Sequence, residues 1–311
     1  MSKRDFLTLK DWSKEELKKL IDDAVRLKKE RNEGVKHHHL EGQKLALIFE
    51  KSSTRTRVSF EVGFYELGGY PLFLSKNDIQ LGRGETVADT ARTLSRYVDG
   101  IMIRTFEHSK LEELARHASV PVINGLSDDF HPCQVMADVQ TIYERFGTYD
   151  VKVAYLGDGN NMANSWLFGA AKFGIDFAVA TPKGYECPAG VVEEARKEAE
   201  KNGSVIMTTN DPLEAVKDAD VIYTDVWASM GQEDEATERV KAFSGFTVDK
   251  KLMEATGKKK TVFMHCLPAH LGEEVSEEVF ESEQSIVFDE AENRLHAQKA
   301  IMVELMAQRS K

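Results

Sequence analysis

The densest group of residues able to do chemistry is Ser52-Ser-Thr-Arg-Thr-Arg57, directly after the apolar run Leu45–Phe49. Hydroxyl groups donate hydrogen bonds, and a guanidinium binds phosphate through two parallel bonds. The apolar run predicts a buried strand and Ser53–Leu67 predicts a helix, so the group lies where helix N–H groups attract anions. The segment therefore predicts a site for a small phosphate compound; the alternative is a serine cap beside surface arginines. No G-x-x-x-x-G-K-[ST] motif is present, which excludes a P-loop.

A second polar group, Gly157-Asp-Gly-Asn-Asn161, follows the predicted strand Val151–Leu156 and opens a helix. A dinucleotide fingerprint would need a small residue where Met162 stands. It would also need an acidic residue near the end of the next strand, which ends Val179-Ala-Thr-Pro182. Both are missing, so we expect no nicotinamide cofactor, although asparagines at a helix start can still bind a carboxylate.

Three further groups have more than one interpretation. His131 and Gln134 in His-Pro-Cys-Gln suit a carbonyl or amide, or are a satisfied surface or core pair. Asp225 ends a predicted strand and, with Ser229, could hold an ammonium group or cap a loop. Cys266 in His-Cys-Leu-Pro is a nucleophile, a metal ligand or a buried structural thiol.

The metal interpretation has little support in the spacing. A metal site would use His131, Cys133, His265, Cys266 and His270. Their spacing differs from that of a standard zinc site. The run His37-His-His39 lies between a polar helix end and Leu40-Glu-Gly, which predicts a solvated loop and not a ligand set. We expect no bound metal and no cofactor.

The elements that must position these groups alternate between strand and helix, which predicts an α/β fold with parallel sheets. Each polar group follows a predicted strand, where parallel α/β sheets bind their ligands. A helix ends near 147–150 before a fresh strand, so we predict one domain at 1–148 and another at 149–290. The last strand is predicted at Ile286–Asp289. The closing helix, 291–311, has no strand of its own and is expected to pack on the first domain.

The bulk composition limits the classes of function. A chain of 311 residues is long enough for two domains at about 150 residues each. The formal charge of −11 and the lack of a basic stripe make nucleic acids and anionic membranes poor partners. No apolar run reaches transmembrane length, and no signal-peptide pattern opens the chain. Three cysteines without a C-x-x-C pair indicate a reducing cytoplasm.

Taken in order, five motifs resemble those of the ornithine carbamoyltransferases: S-T-R-T-R, H-P-C-Q, G-D-G-N-N, D-x-W-x-S-M-G and H-C-L-P. The resemblance runs from about Leu7 to Arg294. The first two motifs are shared with aspartate carbamoyltransferases, and the later ones favour ornithine. The related putrescine enzymes lack the S-M-G loop. After H-C-L-P-A-H many members carry arginine where this chain has Leu271, which changes the contacts open to the closing loop.

The resemblance implies two α/β domains, with carbamoyl phosphate on the first and L-ornithine on the second, and homotrimers or assemblies of trimers. It implies a set of residues for carbamoyl phosphate: Ser53, Thr54, Arg55, Thr56, Gln80 from a neighbouring subunit, Arg104, His131, Gln134, Cys266, Leu267 and Arg294. It implies another set for ornithine: Asn161, Asp225, Ser229 and Met230. The expected catalytic residues are Arg104, His131, Asp225 and Cys266.

Overall fold

The computed structural model describes residues 3–81, 84–228 and 235–307. The chain divides into two compact units. The first comprises Met1–Gln140 with Glu292–Lys311, and the second comprises Thr141–Ala291. Within the described ranges, no helix is both long and apolar enough to cross a membrane.

The first unit contains a four-stranded parallel sheet. Its strands are β1 (Lys44–Phe49), β2 (Tyr70–Ser75), β3 (Gly100–Arg104) and β4 (Val122–Leu126), in the order β2-β1-β3-β4. Its helices are α1 (Lys14–Asn32), α2 (Thr54–Glu66), α3 (Val87–Leu94), α4 (His108–His117) and most of α5 (Pro132–Phe146), with a 3₁₀ turn at Leu9–Asp11. Five consecutive residues of β1 and all five of β3 are buried, as expected for parallel strands covered by helices on both faces.

The second unit contains a five-stranded parallel sheet. Its strands are β5 (Lys152–Leu156), β6 (Asp176–Ala180), β7 (Ile206–Thr209), β8 (Val221–Thr224) and β9 (Val262–His265), in the order β7-β6-β5-β8-β9. Its helices are α6 (Asn161–Phe173), α7 (Ala189–Asn202), α8 (Pro212–Val216), α9 (Ala236–Ala242), α10 (Lys250–Ala255) and α11 (Glu277–Phe280). The central helix α6 is buried from Met162 to Phe173, because it lies against the sheet and α7.

The closing helix, α12 (Val287–Met306), packs on the first unit through residues after Ala291. A Cβ on Gly63 of α2 would lie 3.1 Å from Lys299 Cγ and 3.2 Å from Leu295 Cδ1, so glycine permits this close helix contact. Lys299 Nζ also donates to Glu66 Oε2 at 2.7 Å. The predicted fold class is confirmed: two parallel α/β domains, with a C-terminal helix on the first.

The predicted strand at Ile286–Asp289 is wrong. Val287 begins α12, and just before it Ser285 forms an isolated bridge to Phe263. A short apolar run cannot by itself distinguish a strand from a helix start. Here Glu290 decides between them, because its carboxylate accepts hydrogen bonds from the His265 N–H at 2.9 Å and the Tyr223 hydroxyl at 3.2 Å.

The histidine run is only partly the solvated loop that the sequence predicts. His38 and His39 are exposed, but His37 is buried. The Nε2 atom of His37 lies 2.6 Å from Lys299 Nζ, and its Nδ1 lies 3.1 Å from a carboxylate oxygen of Glu30. The first histidine therefore belongs to the polar contacts that fix α12 on the first unit.

A buried histidine on α12 predicts acid sensitivity. Burial, with smaller effects from Lys299 and Lys28, lowers the pKa of His296 to about 3. The unfolded chain gains a proton below about pH 6.5 that the folded chain does not bind, so the free energy of unfolding falls with pH by about 1.4 kcal/mol per unit. Between pH 7 and 5, the free energy of unfolding measured in urea should therefore fall by about 2 kcal/mol less in His296→Leu than in wild type. His117→Leu, which removes a part-exposed histidine, should lose as much as wild type; equal losses in all three proteins would contradict the linkage.

Candidate active site

The phosphate-type segment lies at the N-terminus of α2, as the sequence predicts. Ser53 has an extended backbone, and its side chain accepts a hydrogen bond from the Thr56 N–H at 3.2 Å. Because β1 ends at Phe49, the first turn of α2 lies at the carboxyl edge of the sheet. Arg104 ends the neighbouring strand β3, directly opposite Phe49 in the register. The helix N-terminus and the Arg104 strand end therefore share one edge of the first sheet.

The two arginines of the segment have different surroundings. The Arg57 guanidinium stacks over the Phe73 ring at 3.6 Å, and its Nε donates to Glu61 at 3.2 Å. Arg57 is thus a surface contact of α2 and β2. Arg55, which is half-buried, is the candidate for gripping an anion.

A buried hydrogen-bonded chain supports this edge from within the first unit. Arg294 of α12 donates to Thr56 Oγ1 at 2.9 Å and to Gln134 Oε1 at 2.6 Å. Gln134 in turn donates through Nε2 to Asp138 Oδ1 at 2.8 Å. Each of the four residues is at most 3% exposed, so the chain fixes the relative positions of α2, α5 and α12. The sequence analysis missed Asp138, although its i+4 spacing from Gln134 on α5 is a recognisable signal.

His131 is buried immediately before α5. Burial lowers its pKa well below the ordinary value, and the positive charges of Arg294 and Arg104 act in the same direction. The imidazole is therefore neutral near pH 7 and can donate one hydrogen bond while accepting another. That state suits polarisation of a carbonyl oxygen.

The neighbouring Cys133 has a structural role. It is fully buried, and its thiol donates to the Asn124 carbonyl at 3.3 Å. Burial raises the pKa of Cys133 to about 12, so the residue stays a thiol and not the thiolate that a metal prefers.

In the second unit, a polar cluster joins three of the sequence motifs. Asn160 caps α6, accepting from the Met162 and Ala163 N–H groups, and its Nδ2 donates to Asp225 Oδ2 at 2.9 Å. The other carboxylate oxygen, Oδ1, accepts from the Cys266 thiol at 3.0 Å. The cluster therefore places a buried carboxylate between an amide and a thiol, at the ends of β8 and β9.

The buried side chain of His265 fixes the backbone next to Cys266. The Leu267 N–H donates to His265 Nδ1 at 2.8 Å, so in the neutral ring Nε2 carries the proton and points to Glu274 Oε1, 3.2 Å away. His265 and Glu274 are fully buried. Although Asp225, His265 and Cys266 lie within ligand distance of one another, both ring nitrogens of this histidine already have partners. The histidine is better explained as a structural residue that positions Cys266.

The glycine turn before α6 packs against protein backbone. A Cβ on Gly159 would lie 2.4 Å from Cys187 N and 2.7 Å from Tyr185 O, and the Gly159 N–H donates to that oxygen at 2.8 Å. The backbone of another loop crosses Gly159 so closely that only glycine fits here. Next to it, Asp158 Oδ2 accepts from Arg239 at 2.8 Å, and Arg239 also donates to the Trp227 carbonyl at 2.9 Å. Asp158 and Arg239 are support residues that the sequence analysis missed.

For the remaining predicted site residues, the structure gives the position in the fold. Asn161 is the first residue of α6, and Thr54 is the first of α2. Gln80 is exposed ahead of Leu81, and its predicted role in a neighbouring subunit stays a prediction. Ser229 and Met230 lie outside the described residues.

The buried chain predicts a positioning role for Asp138. Because Asp138 accepts from Gln134 Nε2, Asp138→Leu removes the acceptor that holds the Gln134 side chain. If Gln134 contacts substrate, we expect kcat/KM to fall about tenfold, as for loss of one hydrogen bond. Steady-state kinetics with Asp129→Leu as the exposed control measures this. Unchanged kinetics in a folded Asp138→Leu protein would show that Gln134 needs no such partner.

Comparison with known proteins places both units in one class of enzyme. Residues 4–144 match the family model described as "Aspartate/ornithine carbamoyltransferase, carbamoyl-P binding domain". Residues 149–305 match the "Aspartate/ornithine carbamoyltransferase, Asp/Orn binding domain". The chain therefore belongs to the aspartate/ornithine carbamoyltransferase family and is a carbamoyltransferase, with a carbamoyl-phosphate domain followed by an amino-acid domain.

Within this family the chain is similar to ornithine enzymes. The ornithine carbamoyltransferase of Anoxybacillus flavithermus is 58% identical over 304 residues, which cover 97% of this chain and 96% of that protein. The Thermococcus kodakarensis enzyme of the same name is 56% identical over 304 residues, with the same coverage of 97% and 96%. The solved ornithine carbamoyltransferase of Pyrococcus furiosus matches with a TM-score of 0.96 and 53% identity, covering 100% of this chain and 99% of that one.

Proposed function

We propose that this enzyme transfers the carbamoyl group of carbamoyl phosphate to the δ-amine of L-ornithine, which gives L-citrulline and phosphate. The observation that carries the choice of acceptor is the buried Asp225 carboxylate, held by Asn160 and Cys266 in the amino-acid domain. A buried carboxylate attracts an ammonium group and repels a dicarboxylic acceptor such as aspartate. The names of the similar enzymes support the same acceptor.

The first domain, which we assign to 1–148 with 291–311, holds carbamoyl phosphate. The N-terminus of α2 supplies N–H groups and hydroxyls, and Arg55 supplies a two-pronged guanidinium. Neutral His131 polarises the carbonyl oxygen, while Arg104 stabilises negative charge that develops on it and on the phosphate. The residues assigned to this substrate are Ser53, Thr54, Arg55, Thr56, Arg104, His131, Gln134 and Arg294, with Gln80 from a second copy and with Cys266 and Leu267 from the other domain.

The second domain, which we assign to 149–290, holds L-ornithine. Asp225 binds the α-ammonium group of ornithine, and Asn161 at the start of α6 binds the α-carboxylate, which the positive helix N-terminus also attracts. Ser229 and Met230 complete this set. These residues place the δ-amine near Cys266.

The chemical step needs a neutral amine, although a free alkyl amine titrates near ~10.4. The δ-amine attacks the carbonyl carbon, a tetrahedral intermediate forms, and its collapse releases phosphate. Asp225 acts as the general base: directly or through the Cys266 thiol, its carboxylate accepts the proton that the attacking nitrogen loses. Phosphate leaves with the electron pair of the broken C–O bond. No covalent enzyme intermediate is needed, and a thiol that donates to a carboxylate at 3.0 Å is a poor nucleophile. Orienting two small substrates together removes much of the entropic barrier.

The assembly that we propose is a homotrimer with substrate sites shared between copies, and an apolar stripe on the first unit is a candidate contact between those copies. Val58, Val62 and Tyr65 lie along the outer face of α2, at 50%, 38% and 75% exposure, opposite its buried Phe60. Tyr70 on the edge strand β2 is also 65% exposed. Contiguous exposed apolar groups of this kind mark protein interfaces. Because α2 begins at the phosphate segment, a copy seated on this stripe lies close to that substrate.

The proposed setting follows from the chemistry. The product, citrulline, belongs to arginine biosynthesis. The three cysteines are free, with Cys133 and Cys187 buried, which fits the reducing cytoplasm. The transfer needs neither metal nor cofactor, because both reacting groups come from the substrates.

An acceptor panel tests the proposal. Purified enzyme with carbamoyl phosphate receives L-ornithine, putrescine, L-aspartate or N-acetylornithine, and the carbamoylated product is measured for each. We expect turnover with L-ornithine and at least about 100-fold lower kcat/KM with the others, since each lacks or reverses a charged contact. A preference for putrescine or aspartate would keep the carbamoyl-phosphate assignment and overturn the ornithine assignment.

A further inference from the structure

A cavity of about 460 Å³ lies at the carboxyl ends of β6 and β7, within the second unit, and the proposed reaction does not use it. Its volume is in the range of about 300 to 1,000 Å³ that is typical of small-molecule sites. Parallel α/β sheets bind ligands at this edge. The residues that line it are Val179, Thr181, Glu186, Cys187, Ala189, Val192, Glu193, Arg196, Thr208, Thr209 and Asn210.

The wall of this cavity carries a hydroxyl that has no protein partner among the described residues. Thr181 is only 3% exposed and lines the cavity. Its main chain is bonded, to Thr209 and to Asn210 Nδ2, but within the described ranges its hydroxyl makes no hydrogen bond. Buried polar side chains normally have a partner. A ligand hydroxyl, amine or carboxylate in the cavity would supply one.

The N-terminus of α7 opens into the same space. The helix has 14 residues, and its N-cap, Pro188, provides no side-chain hydrogen bond. The N–H groups of Ala189 and Gly190 precede the first bonds to the Pro188 carbonyl, which are made by Val191 and Val192. These free amides and the positive helix end favour a carboxylate.

Negative groups face the other side of the cavity. Glu186 accepts from Asn210 Nδ2 at 3.2 Å and from the Gly184 N–H at 2.8 Å, and its pKa is lowered, chiefly by a backbone hydrogen bond, so it is ionised near pH 7. The floor is apolar, with Val179 and Val192 buried. Charges of both signs over an apolar floor suit a small zwitterion with an aliphatic side chain.

The loop that carries Glu186 is held in place before any ligand arrives. Its backbone at 185–187 lies against Gly159, and the Gly159 N–H donates to the Tyr185 carbonyl at 2.8 Å. Tyr185 also packs edge-on against Phe243, with ring centroids 5.0 Å apart. A site formed in advance binds without the cost of ordering a loop.

We propose that this cavity is a second amino-acid site, which binds a small aliphatic α-amino acid with its carboxylate at the α7 N-terminus, its ammonium group at Glu186 and its side chain on Val179 and Val192. The site is separate in sequence from the Asn160, Asp225 and Cys266 cluster. It does not depend on the proposed reaction.

Equilibrium dialysis with labelled L-valine tests the site, using the Asp225→Asn chain to weaken amino-acid binding at the proposed ornithine site. We expect saturable binding of one L-valine per chain. Isobutylamine and isovalerate, which each lack one charged group, should bind about tenfold more weakly. Adding Thr181→Val should weaken L-valine binding about fivefold by removing one hydrogen bond, while Thr181→Ser should preserve it.

Three results would overturn the proposal: no saturable binding of L-valine, binding that Thr181→Val leaves unchanged, or isovalerate binding as tightly as L-valine. The last would indicate an anion site only. As a check on folding, Thr181→Val in the otherwise native chain should form citrulline at the wild-type rate. Because dialysis measures no turnover, its result is independent of whether ornithine is the acceptor.

Discussion

Replacing Arg294 with methionine should lower kcat/KM for carbamoyl phosphate by about 100- to 1,000-fold, the usual effect of losing a transition-state hydrogen-bond donor. Arg294 donates to both Thr56 and Gln134 and is 3% exposed, so no water or neighbouring cation can take its place easily. The variant loses a charge beside the proposed phosphate site. It also leaves the buried oxygens Thr56 Oγ1 and Gln134 Oε1 without their donor, which should lower the free energy of unfolding by about 1 to 3 kcal/mol for each oxygen.

Two further variants separate charge from geometry at this position. Arg294→Lys keeps the charge but cannot form the two-pronged contact, so its kcat/KM should fall between wild type and Arg294→Met. Arg26→Met removes an exposed arginine of α1 and should leave the kinetics unchanged. Wild-type kinetics in a folded Arg294→Met protein would remove Arg294 from the carbamoyl-phosphate site.

Replacing Asp225 with asparagine should raise KM for L-ornithine by about 100-fold or more. The reason is that removing one partner of a buried ion pair, here between a carboxylate and an ammonium group, costs about 3 to 5 kcal/mol. In the wild type, Asn160 and Cys266 each donate to one oxygen of the Asp225 carboxylate. An asparagine side chain has a single oxygen, so one of these two donors would meet the new NH₂ group. The affinity for carbamoyl phosphate should change much less, since most of the residues assigned to that substrate belong to the first unit.

The control for Asp225 is Asp218→Asn. Asp218 is an exposed residue of the same unit with a φ of 59°, a conformation that asparagine accepts readily. It should keep wild-type constants for both substrates. Equal increases in both KM values for Asp225→Asn would indicate general damage and contradict a specific ammonium contact.

The sequence predicts the architecture well where local signals agree. Apolar runs followed by capped helices, such as β1 before Ser53 and α2, identify the alternation, and each polar motif lies at a strand end. The edge strand β2 was not predicted, because its Pro71 and partly exposed residues weaken the strand pattern. The segment Ile286–Asp289 was predicted as a strand but starts a helix. The contacts that fix this helix are made by Glu290 with His265 and Tyr223, which are far away in the sequence.

The site is predicted as residue types but not as a network. The bond between Arg294 and Thr56 joins residues 238 positions apart, and the bond to Gln134 joins residues 160 apart. No local pattern reports such contacts. The same holds for Gly159, where a Cβ would collide with the backbone at Tyr185–Cys187, a contact that the sequence around Gly159 does not predict.

The most direct test of the central claim is citrulline formation from carbamoyl phosphate and L-ornithine, measured for wild type and for Arg55→Ala. The first domain is proposed to grip the phosphate through Arg55 and the second to present the amine. We therefore expect efficient citrulline formation by wild type and a loss of about 100-fold or more in the variant, mainly in kcat/KM for carbamoyl phosphate. No citrulline from the wild-type enzyme, or equal rates in both proteins, would contradict this account.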